Sequence, residues 1–552
     1  MDIIERLELR DERRRESREK IEKLKRNKSA VILFAVSCLA ILIAGLCYVA
    51  KSRTIYFWDD STYWELTRSL VNGELTGEGG FWRSVYNSIG TLDYNYAAAL
   101  PSALWMVIFG QSRAAFVAGL IVMYIVPSAI LTYRLCVKLS KAPKAAFLMA
   151  VFIMPCTFFL AFNGFVDVGG LLIALACYNL YYSANGVSRG HYKYVIIGVL
   201  LVLIMVFRRY FAFFSVSFVT AMAADCIINR RNRGNLLLLA AAMAILLFTV
   251  LRPFTVNILL KNYGSLYSGY KYSVSTDMKI ISRYFGVAFI TISAIVPFIS
   301  ALKRKEYRPI FLWIQIISCA AIFMATQTHG QQHLLLYVPA FTVMTIFLVN
   351  CISRRWMLIG MCLLTVFNLC NTVIDREQPD NIQKISHYSL IPDFSLRPKR
   401  REDAEAILTL KRDLDAVIPQ WQQCKVLSSS FLLNDSILRN VEPSLGAETY
   451  RSADYIKALP EVDSRDSDRL WEIYYADYIL AAFPVQTHLA AGQQTITERL
   501  TESFANYTDV AQDFVEIYSF ARQVGSLDVK LYQRINDVDA LRQREFEAKL
   551  YK

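Results

Sequence analysis

The sequence predicts a polytopic α-helical membrane protein of about 11 transmembrane helices, followed by a soluble α/β domain. Three observations predict it. Of 552 residues, 55% are hydrophobic and 13% aromatic, only 19% are charged, and mean hydropathy is +0.31, whereas a soluble chain carries about a quarter charged residues. The apolar residues gather between Ala30 and Ile374 in runs of roughly 17–22, long enough to cross a bilayer core of about 30 Å. The charge is split, with 22 Lys+Arg against 29 Asp+Glu from Asn371 onward and 38 against 18 before it. This composition excludes a disordered chain, a nucleic-acid-binding tail protein and a soluble multidomain enzyme. The net charge of +13 is read as basic cytoplasmic loops that orient a membrane protein, not as a surface for nucleic acid.

Residues 1–29 interleave acids and bases and predict a cytoplasmic solvated or amphipathic helix. They lack the short apolar region and small-residue cleavage site of a signal peptide. Residues 30–374 form the transmembrane module, with spans predicted at 30–50, 114–133, 145–163, 168–184, 193–207, 211–228, 235–251, 284–302, 310–327, 334–351 and 356–374. With the N-terminus cytoplasmic, the inside loops are RLCVKLSKAPK, NGVSRGHYK, NRRNRG, LKRKEYRP and SRRW. Each is short and basic, as the positive-inside rule requires. The outside segments are then the first loop, 51–113, the turns at 163–167, 208–210 and 327–333, the loop 252–283, and the tail. The tail, 375–552, alternates β-like runs (KVLSSSF, DYILAAF, DVKLYQRI) with helical stretches (REDAEAILTLKRDLDAVI and Thr495 to Phe504), the pattern of a small extracytoplasmic α/β domain. Ten of the 11 Cys lie in or beside apolar runs, leaving Cys424 alone in the tail. Inert buried thiols are the reading.

Acids are scarce where the chain is apolar. Ten occur between Ala30 and Cys370, and by this topology only Asp225 and Glu306 face the cytoplasm. Carboxylates at membrane depth are expensive and usually functional. Asp59 and Asp60 sit in YFWDDSTYWELTRSLVNG, just after the first span, where Tyr63, Leu66 and Leu70 have helical spacing. One of them capping an interfacial helix, with Trp and Tyr in the headgroups, is the plain reading. A cap does not need doubling, however. Adjacent helical residues point about 100° apart, so one carboxylate can face a substrate while the other orients a helix or an ion. Asp167, in AFNGFVDVGGLL, is either a helix cap or a site residue. Gly169 and Gly170 behind it allow close backbone approach, which suits a site or a helix crossing equally.

Basic and aromatic residues share that side. Arg208 and Arg209 either snorkel to headgroups or offer forked donors to phosphate oxygens. The loop KNYGSLYSGYKYSVSTDMKIISRYF is either a plain amphipathic helix or a substrate loop. Its Tyr267, Tyr270, Lys271 and Arg283, together with Tyr63, are the candidate contacts for sugar, lipid and phosphate. His329 and His333, four apart in ATQTHGQQHLLLYVPAF, could ligate a metal if helical, but Gly330 favours a turn and no Cys or carboxylate is expected nearby. Hydrogen bonding to a diphosphate or sugar, or a plain polar turn, are the other readings.

This pattern resembles the GT-C superfamily of membrane glycosyltransferases. The resemblance rests on the acidic pair after the first span, the long first outer loop with room for interfacial helices near 60–72 and 94–110, Asp167 in the second outer loop, and a soluble domain after the last span. WDDSTYWEL is similar to the acidic-pair motif of the protein mannosyltransferase and lipid A aminoarabinose transferase branches, where the second acid is often Glu and here is Asp60. QTHGQQHLLLYVPAF resembles the late polar-aromatic turn of bacterial members, and DYILAAFPVQTHL resembles the outer domain of bacterial cell-surface members.

The resemblance implies a bacterial plasma-membrane enzyme that inverts a sugar as it moves it from a polyprenyl-phosphate donor to an extracytoplasmic glycan, lipid or protein. Asp59 is then the general base, Asp60 its support or an ion ligand, and Asp167 the residue that orients donor or acceptor. Arg208, Arg209, His329 and His333 are the candidate phosphate contacts. No cofactor is required, and a divalent cation such as Mg or Mn is optional. A flippase of lipid-linked saccharide is the main alternative, but transporters place ionisable residues near the bilayer midplane, often within repeats. A polymerase or ligase of surface polysaccharide and a non-catalytic scaffold are further alternatives.

Overall fold

The structure, a computed structural model, describes residues 28–73, 80–183, 190–229, 233–352, 354–374, 385–449, 451–520, 524–537 and 540–550. The expected cytoplasmic helix at 1–29 lies almost wholly outside the described residues, as do Glu74, Glu78, most of the second basic loop and half of the third.

Every expected span is helical. Seven helices are long and apolar enough to cross a bilayer: Ala30–Lys51, Arg113–Leu139, Gly190–Phe207, Phe211–Ile228, Arg233–Val250, Arg308–Thr326 and Arg355–Val373. Two bent pairs raise the number to nine among the described residues. Pro143–Phe152 meets Cys156–Phe162 at 56°, where Pro155 interrupts the helical ladder. Val274–Phe285 meets Val287–Lys303 at 92°. Gly286 makes that corner at φ +79°, and a Cβ there would stand 2.8 Å from the Ile391 Cα.

By length and apolarity these helices and bent pairs account for nine of the eleven expected spans. The other two segments are the 14-residue helices Val168–Tyr181 and Val338–Cys351, about 21 Å long at 1.5 Å per residue. Both are packed inside the bundle, with every residue from Val338 to Val349 buried. Their apolarity reflects burial against protein, which hydropathy alone does not distinguish from contact with lipid.

Between the first two spans lie three shorter helices, Asp59–Val71, Phe81–Thr91 and Tyr96–Phe109. The tail folds around a five-stranded mixed sheet in the order β2-β1-β3-β5-β4. Its strands are β1 (Cys424–Leu427), β2 (Ile456–Ala458), β3 (Tyr478–Phe483), β4 (Phe514–Ser519) and β5 (Asp528–Arg534). β1 pairs in parallel with β2 and β3, while β5 pairs antiparallel with β3 and β4. The three β-like runs in the sequence became β1, β3 and β5. The sheet's two edges, the three-residue β2 and the mostly exposed β4, had no such signal. Ile407, Leu414, Ile437 and Val441 cover one face of the sheet, and Ile496, Leu500 and Phe504 cover the other.

The helix Asp435–Leu445 docks this domain onto Asp59–Val71. The Ser436 hydroxyl lies 2.9 Å from that of Ser61 and accepts the Trp58 N–H, while Asn440 Nδ2 donates to Glu65 Oε1 at 2.6 Å. Arg113 reinforces the joint, donating to the Thr54 and Ser444 carbonyls. All eleven cysteines are free thiols.

Candidate active site

A cavity of about 560 Å³ lies between the helical bundle and the docked domain. Its walls are of three kinds. Asp59, Asp93, Tyr94, Arg208, Arg209, Gln332 and His333 make a polar centre. Ala212, Phe213, Val216, Leu259 and Ile322 make an apolar wall on the spans and their loop. Phe431, Arg465, His488 and Leu489 of the soluble domain close the top.

Asp59 and Asp60 are the first two residues of their helix, and Trp58 occupies the cap position at φ 50°. The two carboxylates therefore diverge, as adjacent helical positions must. Asp59 faces the cavity. Its Oδ2 accepts Gln332 Nε2 at 2.7 Å and lies 3.7 Å from Arg208 Nη2, and its Oδ1 accepts the Tyr94 hydroxyl. Asp60 does not line the cavity. Burial pushes its carboxyl up to about 7, opposed by Lys399 and Arg113 and reinforced by Asp59 and Asp167. The same burial pulls the Lys399 ammonium down, against the attraction of Asp60.

Asp167 stands at the cap of Val168–Tyr181 but makes no side-chain cap bond. At 1% exposure its Oδ1 instead accepts Arg208 Nε and the Tyr210 hydroxyl, both at 2.8 Å. Arg208 thus bridges Asp59 and Asp167, with its guanidinium 4.3 Å from the Tyr94 ring centre and 5.2 Å from that of Tyr63. Burial opposes its charge, but Asp167, the tyrosines and Asp59 outweigh burial and hold the group firmly cationic. Arg209 pairs with Asp93 at 2.6 Å, reaches the Tyr267 hydroxyl, and lies over the Tyr263 ring. Neither arginine snorkels to headgroups. The tight turn at 208–210 sends both into the protein, where a buried cation needs such partners.

The remaining candidates divide. Tyr267, Tyr270 and His333 line the cavity. His333 Nδ1 accepts the Gly330 N–H at 2.9 Å. Burial, then His329 and both arginines, keep its imidazole well below the usual histidine range, so it is neutral at pH 7. Tyr63 lies outside the cavity, buried beneath Arg208. Lys271 donates to the Ala325 carbonyl, and Arg283 donates to that of Asp393, securing the segment that leads to the soluble domain. Neither lines the cavity.

His329 does not reach the cavity either. It is 0% exposed, with Nδ1 2.6 Å from Asp277 Oδ1 and Nε2 2.6 Å from the Tyr337 hydroxyl. Both ring nitrogens are committed, which makes it a brace under the turn. Among the described residues, no group of three or more His, Cys, Asp or Glu side chains is arranged to hold a metal ion.

Tyr94, Gln332, Asp93, Tyr263 and the four residues of the soluble domain complete the cavity and were not candidates from sequence. Asp93 stood among the ten scarce acids, Gln332 in the QTHGQQH turn, Tyr263 in the tyrosine-rich loop, and His488 and Leu489 at the end of DYILAAFPVQTHL; Tyr94, Phe431 and Arg465 carry no such signal.

No family model matches the chain, and no curated protein matches it. Solved structures do. A crystal structure of ArnT from Cupriavidus metallidurans bound to undecaprenyl phosphate superposes with a TM-score of 0.55 at 10% identity, covering 92% of this chain and 98% of that one. The apo structure of the same protein gives 0.56 at 9% identity over 91% and 98%. The chain has the fold of ArnT. The likeness extends over the helical bundle and the C-terminal α/β region together, in keeping with the expected fold class.

Proposed function

We propose that this protein is an inverting glycosyltransferase that moves a sugar from a polyprenyl phosphate to an acceptor on the extracytoplasmic side of a bacterial plasma membrane. The observation that carries this reading is the two-sided cavity. Asp59, Arg208 and Arg209 share one space with an apolar wall formed on membrane helices. An isoprenoid chain fits the apolar wall, and its phosphate fits beside the arginines. The related fold of ArnT, which is described with undecaprenyl phosphate bound, supports a donor of that class.

In this reading Asp59 accepts the proton of the acceptor hydroxyl as the oxygen attacks the anomeric carbon. The new glycosidic bond forms as the bond from that carbon to the phosphate oxygen breaks, and attack from the opposite face inverts the centre. Arg208 and Arg209 stabilise the charge that gathers on the departing phosphate, with His333 as a neutral hydrogen-bonding neighbour. Asp167 holds Arg208, so it acts through the arginine. Asp60 supports the helix end from the far side, toward Lys399. With two arginines in place for a single phosphate, no cofactor is required. Residues 375–552 then form an extracytoplasmic domain that closes the site.

The test is to reconstitute the full chain in lipid with a panel of undecaprenyl-phosphate sugars and extracted surface glycans, and to follow free undecaprenyl phosphate by chromatography. The proposal expects release that depends on both substrates and persists in EDTA. Absence of release with every donor, from folded protein, contradicts it.

A further inference from the structure

We propose that His488 of the soluble domain is an acceptor-binding residue, whose Nε2 takes the hydrogen bond of the hydroxyl that will be glycosylated. The inference rests on the glycosyl-transfer reading above and adds to it a contact from outside the membrane module.

The position comes first. His488 lines the same cavity as Asp59. Its ring lies 4.6 Å from that of Trp58, the residue preceding Asp59 in the chain, and 6.0 Å from that of Tyr270. Trp58 holds a left-handed φ of 50° that side chains rarely adopt. That cost is borne where the ring meets the soluble domain, against His488 and Phe431. The apolar wall of the cavity is the end that suits a lipid-borne donor. An acceptor therefore enters from the end roofed by His488, Arg465 and Phe431.

The tautomer follows from the partners. His488 Nδ1 lies 3.1 Å from the Ser429 carbonyl oxygen and 2.9 Å from the Ser429 hydroxyl. A carbonyl oxygen can only accept, so Nδ1 carries the proton. Nε2 is then the lone-pair nitrogen, and among the described residues it has no hydrogen-bond partner. Burial, aided by Arg465, pulls the imidazole down to about 4 against the pull of the Ser429 backbone. The ring is neutral at pH 7 and Nε2 remains an acceptor there. It orients the hydroxyl and does not keep its proton, which passes to Asp59.

Arg465 beside it is not a free cation. Its guanidinium is bonded twice to Asp466, at 2.8 Å each. The roof thus offers a neutral hydrogen-bond acceptor among rings, the chemistry of a sugar hydroxyl.

The experiment compares surface glycans by mass spectrometry in cells that depend on wild type, Asp59→Asn, His488→Phe, His488→Leu or His488→Gln. Undecaprenyl phosphate binding to each purified full-length protein is measured in parallel. The expected result is a roughly tenfold or greater loss of the transferred sugar in His488→Phe and His488→Leu, the size of one lost hydrogen bond. His488→Gln, whose amide oxygen accepts the same bond, should retain most transfer. Undecaprenyl phosphate binding should be unchanged in all three, and with purified enzyme the KM for the acceptor should rise while that for the donor does not. Wild-type glycan in whichever of His488→Phe and His488→Leu accumulates overturns the inference, as does a His488→Gln loss equal to theirs or a parallel fall in lipid binding. If Asp59→Asn abolishes transfer while the His488 variants are normal, only the His488 role fails. If Asp59→Asn is also normal, the glycosyl-transfer reading fails with it.

Discussion

Arg208 carries more of the site than any other side chain: it faces Asp59 on one side, Asp167 on the other, and tyrosine rings around its plane. A lysine has the charge but neither the fork nor the flat face. Arg208→Lys should therefore cut the rate by about 10²–10³, the range for removing one preorganised donor to a developing anion, while the folded protein still accumulates. Turnover of the reconstituted enzyme checks this. Asp60 makes a different prediction. Its folded carboxyl sits at about 7 against an ordinary 3.8, so the folded state holds this proton more tightly than the unfolded chain. The stability it lends is fully present at low pH and is lost as pH rises from about 4 to about 7. Melting temperatures at pH 5 and pH 8 should lie closer together in Asp60→Asn than in wild type. These acids and the arginine pair were legible because acids are so rare in an apolar stretch. Tyr94 was not, being one of 31 tyrosines; only the fold brings its hydroxyl to Asp59 from 35 residues away.

The helix Val168–Tyr181 shows how an element aims the site. Gly169 and Gly170 open it, and a Cβ on either would collide with the ring of Phe207 or Phe211. Those two phenylalanines flank the 208–210 turn, so the glycines let the turn press close enough for Arg208 to reach Asp167. The sequence left a site and a helix crossing as equal readings of this pair; the crossing is what the structure contains, and it serves the site. Gly170→Val should cost about 1–3 kcal/mol of stability through overpacking, read as a lower melting temperature, and should weaken the transfer reaction as Arg208 shifts. Each apolar run predicted as a span is helical. They could not mark which helices meet lipid, since Val338–Cys351 is as apolar as a span while enclosed by its neighbours.

The molecule as a unit depends on the soluble domain staying docked. Ile55 of the first loop is buried in that domain's core, and Glu65 receives Asn440 and faces Arg439 across the joint. Glu65 is half-exposed, and such an ion pair is worth under about 1 kcal/mol. Glu65→Ala should thus lower the melting temperature only slightly, because apolar burial and the Ser436 bonds hold the joint. That Phe431, Arg465 and His488 roof the site was not legible in sequence for the same reason that docking matters: they lie more than 370 residues from Asp59 and meet it only when two separately readable parts close on one cavity. The account stands or falls with the carboxylate in that cavity. Replacing Asp59 by Asn keeps its shape and removes its basicity, so surface-glycan mass spectrometry of cells relying on Asp59→Asn should show one defined sugar lost, by about 10²-fold or more, from a protein that still folds and binds undecaprenyl phosphate. A glycan profile identical to wild type from the same folded variant would contradict it.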